Sequence, residues 1–400
     1  MSIPETRAVS ATTAFQPTSD ATAAAHDPFD AEWARSLEND VLAPLIDDYF
    51  RASIEGAERI PATGPVILAA NHSGNAFPYD GIVLDSLLWR RDGMRTEGKF
   101  RTVYEHELSL VWWMRPFGIR DFWRRGGGVD MTYDNFSRLL ARGDRVLYFP
   151  EGVPGIGKGF DHRYELQHFH TSFMQLAARQ HVPVLPIYCV NGEWLHPFGY
   201  TFGLLDRLMQ RVFHVPFLPL PIGFLGIVFP WIWYLAFPAR LRFVVGEPLD
   251  IERALHAAGV SDLDKAPRAA LVDAARHLRA EMQRGLDAAV ARHGSSRYAI
   301  GDLLRAIRRS TTSVIRIVPL GWPVAFLRHE RDRARPPARS RLHAWLRDWD
   351  LIGFYLPFGW PLLSLTRTLR RPPYGRRGLG PSPDDRSIWR LAERPLPPPG

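Results

Sequence analysis

The 400-residue chain has a single cysteine, Cys189, which excludes an intramolecular disulfide framework and any cysteine-rich zinc site. Lysine is almost missing: of 50 basic residues only Lys99, Lys158 and Lys265 are lysine. The arginines are spread along the chain and not gathered in one basic block, so no nucleic-acid partner is expected. The formal charge of +8 still favours anionic lipid or acidic cofactors at the surface. No G-x-x-x-x-G-K-[ST] loop is present, which disfavours nucleotide hydrolysis, and no G-x-S-x-G elbow, which disfavours a soluble esterase. Metal-ligand spacing is also missing. "HFH" at 168–170 falls in a stretch that reads as a helix, where i and i+2 do not share a face. Residues 1–29 lack a long apolar core and read as a disordered lead-in, neither secretory signal nor anchor. Residues 215–239 carry no charge and are long enough to span a bilayer, but five prolines argue for a buried or membrane-surface hairpin instead.

What is present is apolar and aromatic: 46% hydrophobic residues, with 13 Trp and 23 Phe, enough for a sizeable core. Apolar runs edged by arginine suit a bilayer interface and a large core alike. "PVILAA", "RVLYFP" and "VPVLPIYCV" are continuous apolar runs of strand length, the signature of strands buried on both faces. They alternate with helical patterns at 80–91, 132–143, 164–181 and 264–293, with Asp80 read as the N-cap of the first. The fold class expected is α/β, a mainly parallel central sheet flanked by helices. The expected organisation is one α/β domain over 30–295, an apolar, Arg-flanked extension over 296–375, and a Pro/Gly/Arg-rich disordered tail over 376–400. Within the extension, "PLGWPVAFLR" (319–328) is echoed by "PFGWPLLSLTR" (357–367). The pair reads either as interfacial loops or as covers for an apolar face.

In parallel sheets, ligands sit beyond the carboxyl ends of the strands. His72 follows "PVILAA" and Glu151 follows "RVLYFP", so both fall there. A neutral histidine can take a proton from an alcohol near pH 7, best when a carboxylate holds its other ring nitrogen. Asp80 and Asp85 are the carboxylate candidates for His72. From spacing alone, His72 and Asp80 read more readily as a strand-end histidine and a helix cap than as a catalytic pair. The loop "FPEGVPGIGKGFDHR" is Gly-rich and basic, with Gly152, Lys158 and Arg163. Its glycines would let backbone approach a ligand closely.

"ANHSG…PYDG", "GGGVDMTYDNFSRLLARGDRVLYFPEG" and "VPVLPIYCVNGE", in this order, resemble the PlsC-like glycerolipid acyltransferase superfamily over roughly residues 50–250. The resemblance implies that His72 deprotonates an acceptor hydroxyl, oriented by Asp80, and that the hydroxyl attacks an acyl thioester. It further implies that Asn71, Ser73, Gly74, Phe149, Pro150, Glu151, Gly152, Lys158, Arg163 and Pro186 bind substrate. No metal and no cofactor is implied. Acyl-CoA or acyl-carrier protein would be the donor, a glycerolipid such as a lysophospholipid the acceptor, and the cytoplasmic face of the membrane the location.

Three departures from the family pattern matter. The strict His-x4-Asp spacing puts the acid at position 77, which is Phe77; Asp80 takes its place. The usual arginine ahead of "FPEG" is out of register, with Arg120, Arg124 and Arg125 upstream. Val153-Pro154 replaces the Thr-Arg that often follows "FPEG". The last two leave room for a neutral acceptor. The alternative reading is a catalytically silent, membrane-associated lipid-binding protein on the same fold.

Overall fold

The computed structural model describes residues 29–105, 119–200, 225–226, 228–310, 314–334, 340–359 and 363. The expectations for 1–28, for most of 215–229 and for the tail beyond 363 lie outside the described residues. Seven strands form one sheet: β1 (Ser53–Glu55), β2 (Val66–Ala70), β3 (Arg101–Tyr104), β4 (Val129–Asp130), β5 (Arg145–Tyr148), β6 (Val184–Val190) and β7 (Arg242–Val245). Their order is β1-β7-β6-β2-β5-β3-β4. Strands β2 to β6 are mutually parallel; β7 runs antiparallel to β6, and β1 is parallel to β7. The expected mainly parallel α/β architecture is thus present, with a reversed edge.

Strand β2 is the centre of this sheet, between β5 and β6, and each of its five residues is fully buried. The period-two alternation of a strand sends its side chains into two different cores. Val66, Leu68 and Ala70 face one, with helices α1 (Ala31–Leu37) and α2 (Tyr79–Arg91). Ile67 and Ala69 face the other, with α4 (Tyr133–Ala141), α6 (Ser172–Gln180), α7 (Ile251–Ala257) and α8 (Arg268–His293). The α8 stripe Leu271, Ala275, Leu278, Met282 and Leu286 is buried against this second face. After α1 the chain continues in wide π-type turns through Tyr49, where Pro44 cannot donate to the ordinary helical ladder.

Two local expectations are corrected. Residues 164–171 do not join the helix that follows them. Tyr164 has φ +65°, and the backbone N–H groups of Leu166 and Gln167 donate to the side chains of Gln283 and Glu151. These tertiary hydrogen bonds replace helical ones, and "HFH" lies in this irregular stretch. Asp80 does not cap α2. The helix starts at Tyr79 after Pro78, with Asp80 inside its first turn.

Beyond the sheet come α3 (Ile119–Arg125), the short α5 (Val153–Ile156), α9 (Ile300–Arg309), α10 (Val314–Ile317), α11 (Trp322–Ala334) and α12 (Arg341–Asp348). The first Gly-Trp-Pro segment is not a loop but opens α11. Trp322 and Phe326 pack on Phe122 at 6.1 and 5.8 Å, and Trp322 meets Phe77 at 5.2 Å. Of the two readings for this segment, the cover holds. Among the described residues, no helix is long and apolar enough to cross a membrane.

Candidate active site

Because β5, β2 and β6 are adjacent and parallel, the turns after them converge. They bring His72, Glu151 and Glu193 together around the first turn of α2. His72 Nδ1 lies 2.7 Å from Asp80 Oδ2. A carboxylate can only accept, so Nδ1 carries the hydrogen and Nε2 keeps a free lone pair. Asp80 is fully buried and is held in turn: Ser73 N donates to Oδ2 at 2.7 Å and Gly81 N to Oδ1 at 2.8 Å. The eight-residue separation of His72 and Asp80 is therefore bridged by a looped segment that folds back on itself. Phe77, at the position where the strict spacing puts the acid, points into an aromatic cluster with Tyr79, Tyr234 and Trp322. Asp85 does not reach His72; both its oxygens accept from Lys99 Nζ, at 3.0 and 2.9 Å.

Two further groups fix the backbone of His72 and a third packs on its ring, none of them bonding its ring nitrogens. Glu151 is fully buried; one oxygen accepts from His72 N at 3.0 Å and the other from Gln167 N at 2.6 Å. Lys158 Nζ donates to the His72 carbonyl at 3.3 Å and pairs with Glu193 at 3.2 Å, with both side chains essentially inaccessible. Burial opposes the Lys158 charge, but Glu193, Glu151 and Asp80 outweigh it and hold the ammonium pKa above its ordinary value. Phe149 stacks on the imidazole at a centroid distance of 4.3 Å and 27°.

The rest of the turn is built for close approach. Gly155 packs so tightly that a Cβ there would sit 2.7 Å from Glu151 Cβ and 2.9 Å from His72 Cβ. Gly155→Ala is expected to cost about 1–3 kcal/mol and to displace His72, read as a lower melting temperature together with lost turnover. Gly152 has φ +58°, open to glycine, and a Cβ added there would meet His170 Nε2 at 3.2 Å. Asn71 bridges β2 to β6, accepting from Cys189 N at 2.7 Å and donating to Cys189 O at 3.3 Å. Ser73 Oγ donates to Cys189 Sγ, and the Gly74 carbonyl accepts from His196 Nδ1.

His196 was not singled out by the sequence. It is fully buried, and burial pushes its pKa down to about 3. The folded state then binds fewer protons than the unfolded one below the ordinary value of 6.5. Its contribution is intact above about pH 6.5 and is lost as pH falls toward 3, by up to about 1.4 kcal/mol per unit. Urea midpoints measured across that window are expected to fall in the wild type and to fall less steeply in His196→Gln.

Of the other expected substrate ligands, Pro150 uses its carbonyl to accept from His170 N. Pro186 lies in β6 opposite Ala69, with its ring against Gly246 and outside the cavity wall. Arg163 is exposed, its guanidinium 5.0 Å from the centre of the Phe160 ring and 5.9 Å from Trp194, away from His72. Lys158 faces protein groups, not open space. Arg125, one of the upstream candidates, bonds Asp30 and Glu330 and covers the Trp33 ring. Glu193 is the main residue that sequence reasoning missed. It stood in "VNGE" after β6, but a lone glutamate gives no sign of the lysine it will pair with.

A cavity of about 190 Å³ opens on His72 and Phe149. One wall is the α2 stripe Gly81, Ile82, Asp85, Ser86 and Trp89, which repeats at helical spacing, with Pro78 just ahead of it. Trp33, Leu37, Phe122 and Trp123 also line the cavity, so the lining is mostly apolar. Polar groups interrupt it only where they are already paired, as in Asp85 with Lys99 and Glu38 with Ser86 and Arg90. Among the described residues no cluster of His, Cys, Asp and Glu could hold a metal ion.

The family model described as Acyltransferase matches residues 51–190, which contain His72, Asp80, Glu151 and Lys158. Uncharacterized proteins of Mycobacterium bovis and Mycobacterium tuberculosis are each 28% identical over 231 residues, 55% of this chain and 58% of the relative. An uncharacterized protein of Mycobacterium leprae is 28% identical over 228 residues, 55% of this chain and 57% of its own. The chain thus spans less than two thirds of the length of the curated relatives it matches. The crystal structure of the 1-acyl-sn-glycerophosphate acyltransferase PlsC from Thermotoga maritima superposes with a TM-score of 0.36 and 16% identity, covering 64% of this chain and 78% of that one.

Proposed function

We propose that the chain, whose residues 51–190 match the acyltransferase family model, is an O-acyltransferase that moves a fatty acyl group from a thioester donor, acyl-CoA or acyl-carrier protein, to a hydroxyl of a glycerolipid at a membrane surface. The observation that carries this reading is the 2.7 Å contact between His72 Nδ1 and the buried Asp80, at the mouth of an apolar cavity. His72 Nε2 accepts the hydroxyl proton as the acceptor oxygen bonds to the thioester carbonyl carbon. Asp80 stabilises the imidazolium that results. The carbon–sulfur bond then breaks, and the departing thiolate recovers the proton from Nε2, leaving an ester and a free thiol. No covalent enzyme intermediate is needed. The apolar cavity suits an acyl chain, whose transfer from water is favourable by about 0.8 kcal/mol per methylene.

The acceptor follows from the charges. Lys158, the lysine of the Gly-rich loop, is paired with Glu193, and two other fully buried carboxylates, Asp80 and Glu151, contact His72. An uncharged lipid alcohol meets less repulsion there than a phosphate-bearing one. Incubation with an acyl-CoA and a lipid alcohol, followed by mass spectrometry, tests the reading: the acceptor gains one acyl group. Intact acceptor across monoacylglycerol, diacylglycerol and lysophospholipids would favour the silent lipid-binding alternative.

A further inference from the structure

A continuous line of aromatic rings crosses the surface next to the catalytic turn. Phe160 meets Trp194 at 4.9 Å, Trp194 meets Tyr298 at 6.1 Å, Tyr298 meets Phe237 at 6.3 Å, and Phe237 meets Phe198 at 5.9 Å. Phe198 is 57% and Phe237 41% exposed, and Leu235 and Ile300 extend the apolar surface on either side. Single exposed hydrophobics are common, but contiguous ones rimmed by polar groups mark a contact surface.

Two guanidiniums lie on the same line. Arg297 sits 3.9 Å above the Trp194 ring, and Arg163 flanks Trp194 and Phe160. Arg163 is exposed and donates to the Phe160 carbonyl at 3.4 Å, Arg297 is half-buried, and among the described residues neither takes part in an ion pair. Rings that are apolar at the face, with arginine held at their edge, match the headgroup level of a bilayer. There the rings enter the acyl boundary while guanidinium pairs with phosphate. The net charge of +8 has the same sign preference.

The belt and the catalytic turn share a foundation. Gly199, between Phe198 and Tyr200, packs on Asn75, and its carbonyl accepts from Phe160 N at 2.8 Å. His196 bonds the Gly74 carbonyl, and Trp194 directly follows Glu193, the partner of Lys158. We propose that the Phe160–Trp194–Tyr298–Phe237–Phe198 belt, with Arg163 and Arg297, is the face that docks on a bilayer containing anionic lipid, so that a membrane-borne hydroxyl approaches His72 from the headgroup side. The use made of the face rests on the acyl-transfer reading; the docking itself does not.

Flotation of the full chain with phosphatidylglycerol-containing vesicles, and with phosphatidylcholine alone, is the test. The wild type is expected to float with the anionic vesicles and to remain below with the neutral ones. Phe198→Ser with Phe237→Ser, and separately Arg297→Glu, are expected to lower the floating fraction by about tenfold. Leu346→Ser with Trp349→Ser, on another exposed apolar stretch of the molecule, is expected to leave it unaltered. Wild-type flotation by both belt variants, or loss in the Leu346/Trp349 variant alone, would overturn the assignment. So would equal binding to neutral vesicles. Belt variants that keep floating but lose turnover only with a carrier-protein thioester would mark a protein-docking face instead. Because flotation needs no turnover, a protein that binds vesicles through the belt yet transfers no acyl group would contradict the enzymatic reading and leave this one standing.

Discussion

Asp80→Asn is expected to lower acyl transfer by about 10²–10⁴-fold. The carboxylate accepts from His72 Nδ1, Ser73 N and Gly81 N, all donors. An amide of the same shape must turn its NH2 toward one of them. If that donor is His72, the ring takes the other tautomer and Nε2 no longer offers a lone pair. If it is Gly81, the ring keeps its place but loses the negative charge that stabilises the imidazolium. Either way an unsatisfied buried donor remains, at about 1–3 kcal/mol of stability. Steady-state rates with a fixed acceptor, together with urea unfolding, separate the two effects. A variant with native turnover would remove Asp80 from the mechanism.

Lys158→Met is the second large effect, expected at about 3–5 kcal/mol of stability. The substitution leaves Glu193 buried with its Tyr164 N contact but without its cation, and releases the carbonyl of His72. Removing both charges is a different experiment. Lys158→Met with Glu193→Leu is expected to recover much of the loss in stability, because no uncompensated charge is left inside. Turnover is not expected to recover with it, since His72 O still lacks its donor. Chemical denaturation of both variants checks the first statement. The kinetic test is whether kcat falls alike for charged and neutral acceptors. A loss confined to the KM of phosphate-bearing acceptors would instead make Lys158 a headgroup ligand.

The central sheet was legible in the sequence because β2, β5 and β6 are buried on both faces and so read as unbroken apolar runs. Strand β4, two residues long, carries too little pattern to be seen. Residues 164–171 misled for a physical reason: their apolar spacing suits a helix, but their backbone bonds are taken by Glu151 and Gln283 from elsewhere in the fold. The Asp80 misreading has the same origin, since a carboxylate at the start of a helix looks like a cap until its partners are known. His72 and Asp80 could be paired from the order of motifs. The direction of Lys158 and Arg163 could not, because charge in a loop says nothing about whether it turns inward. Trp322 was visible as a repeated Gly-Trp-Pro turn, yet its contact with Phe77 spans 245 positions of chain, which no local pattern encodes.

The measurement that bears most directly on the account is thiol release from palmitoyl-CoA, with wild type and His72→Ala run side by side over monoacylglycerol, diacylglycerol, lysophosphatidic acid and other lysophospholipids. The account predicts release that depends on a lipid hydroxyl, is fastest with an uncharged acceptor, and falls by about 10²–10⁴-fold in the variant. Release at the wild-type rate from His72→Ala, or none with any acceptor from folded wild-type protein, would contradict it.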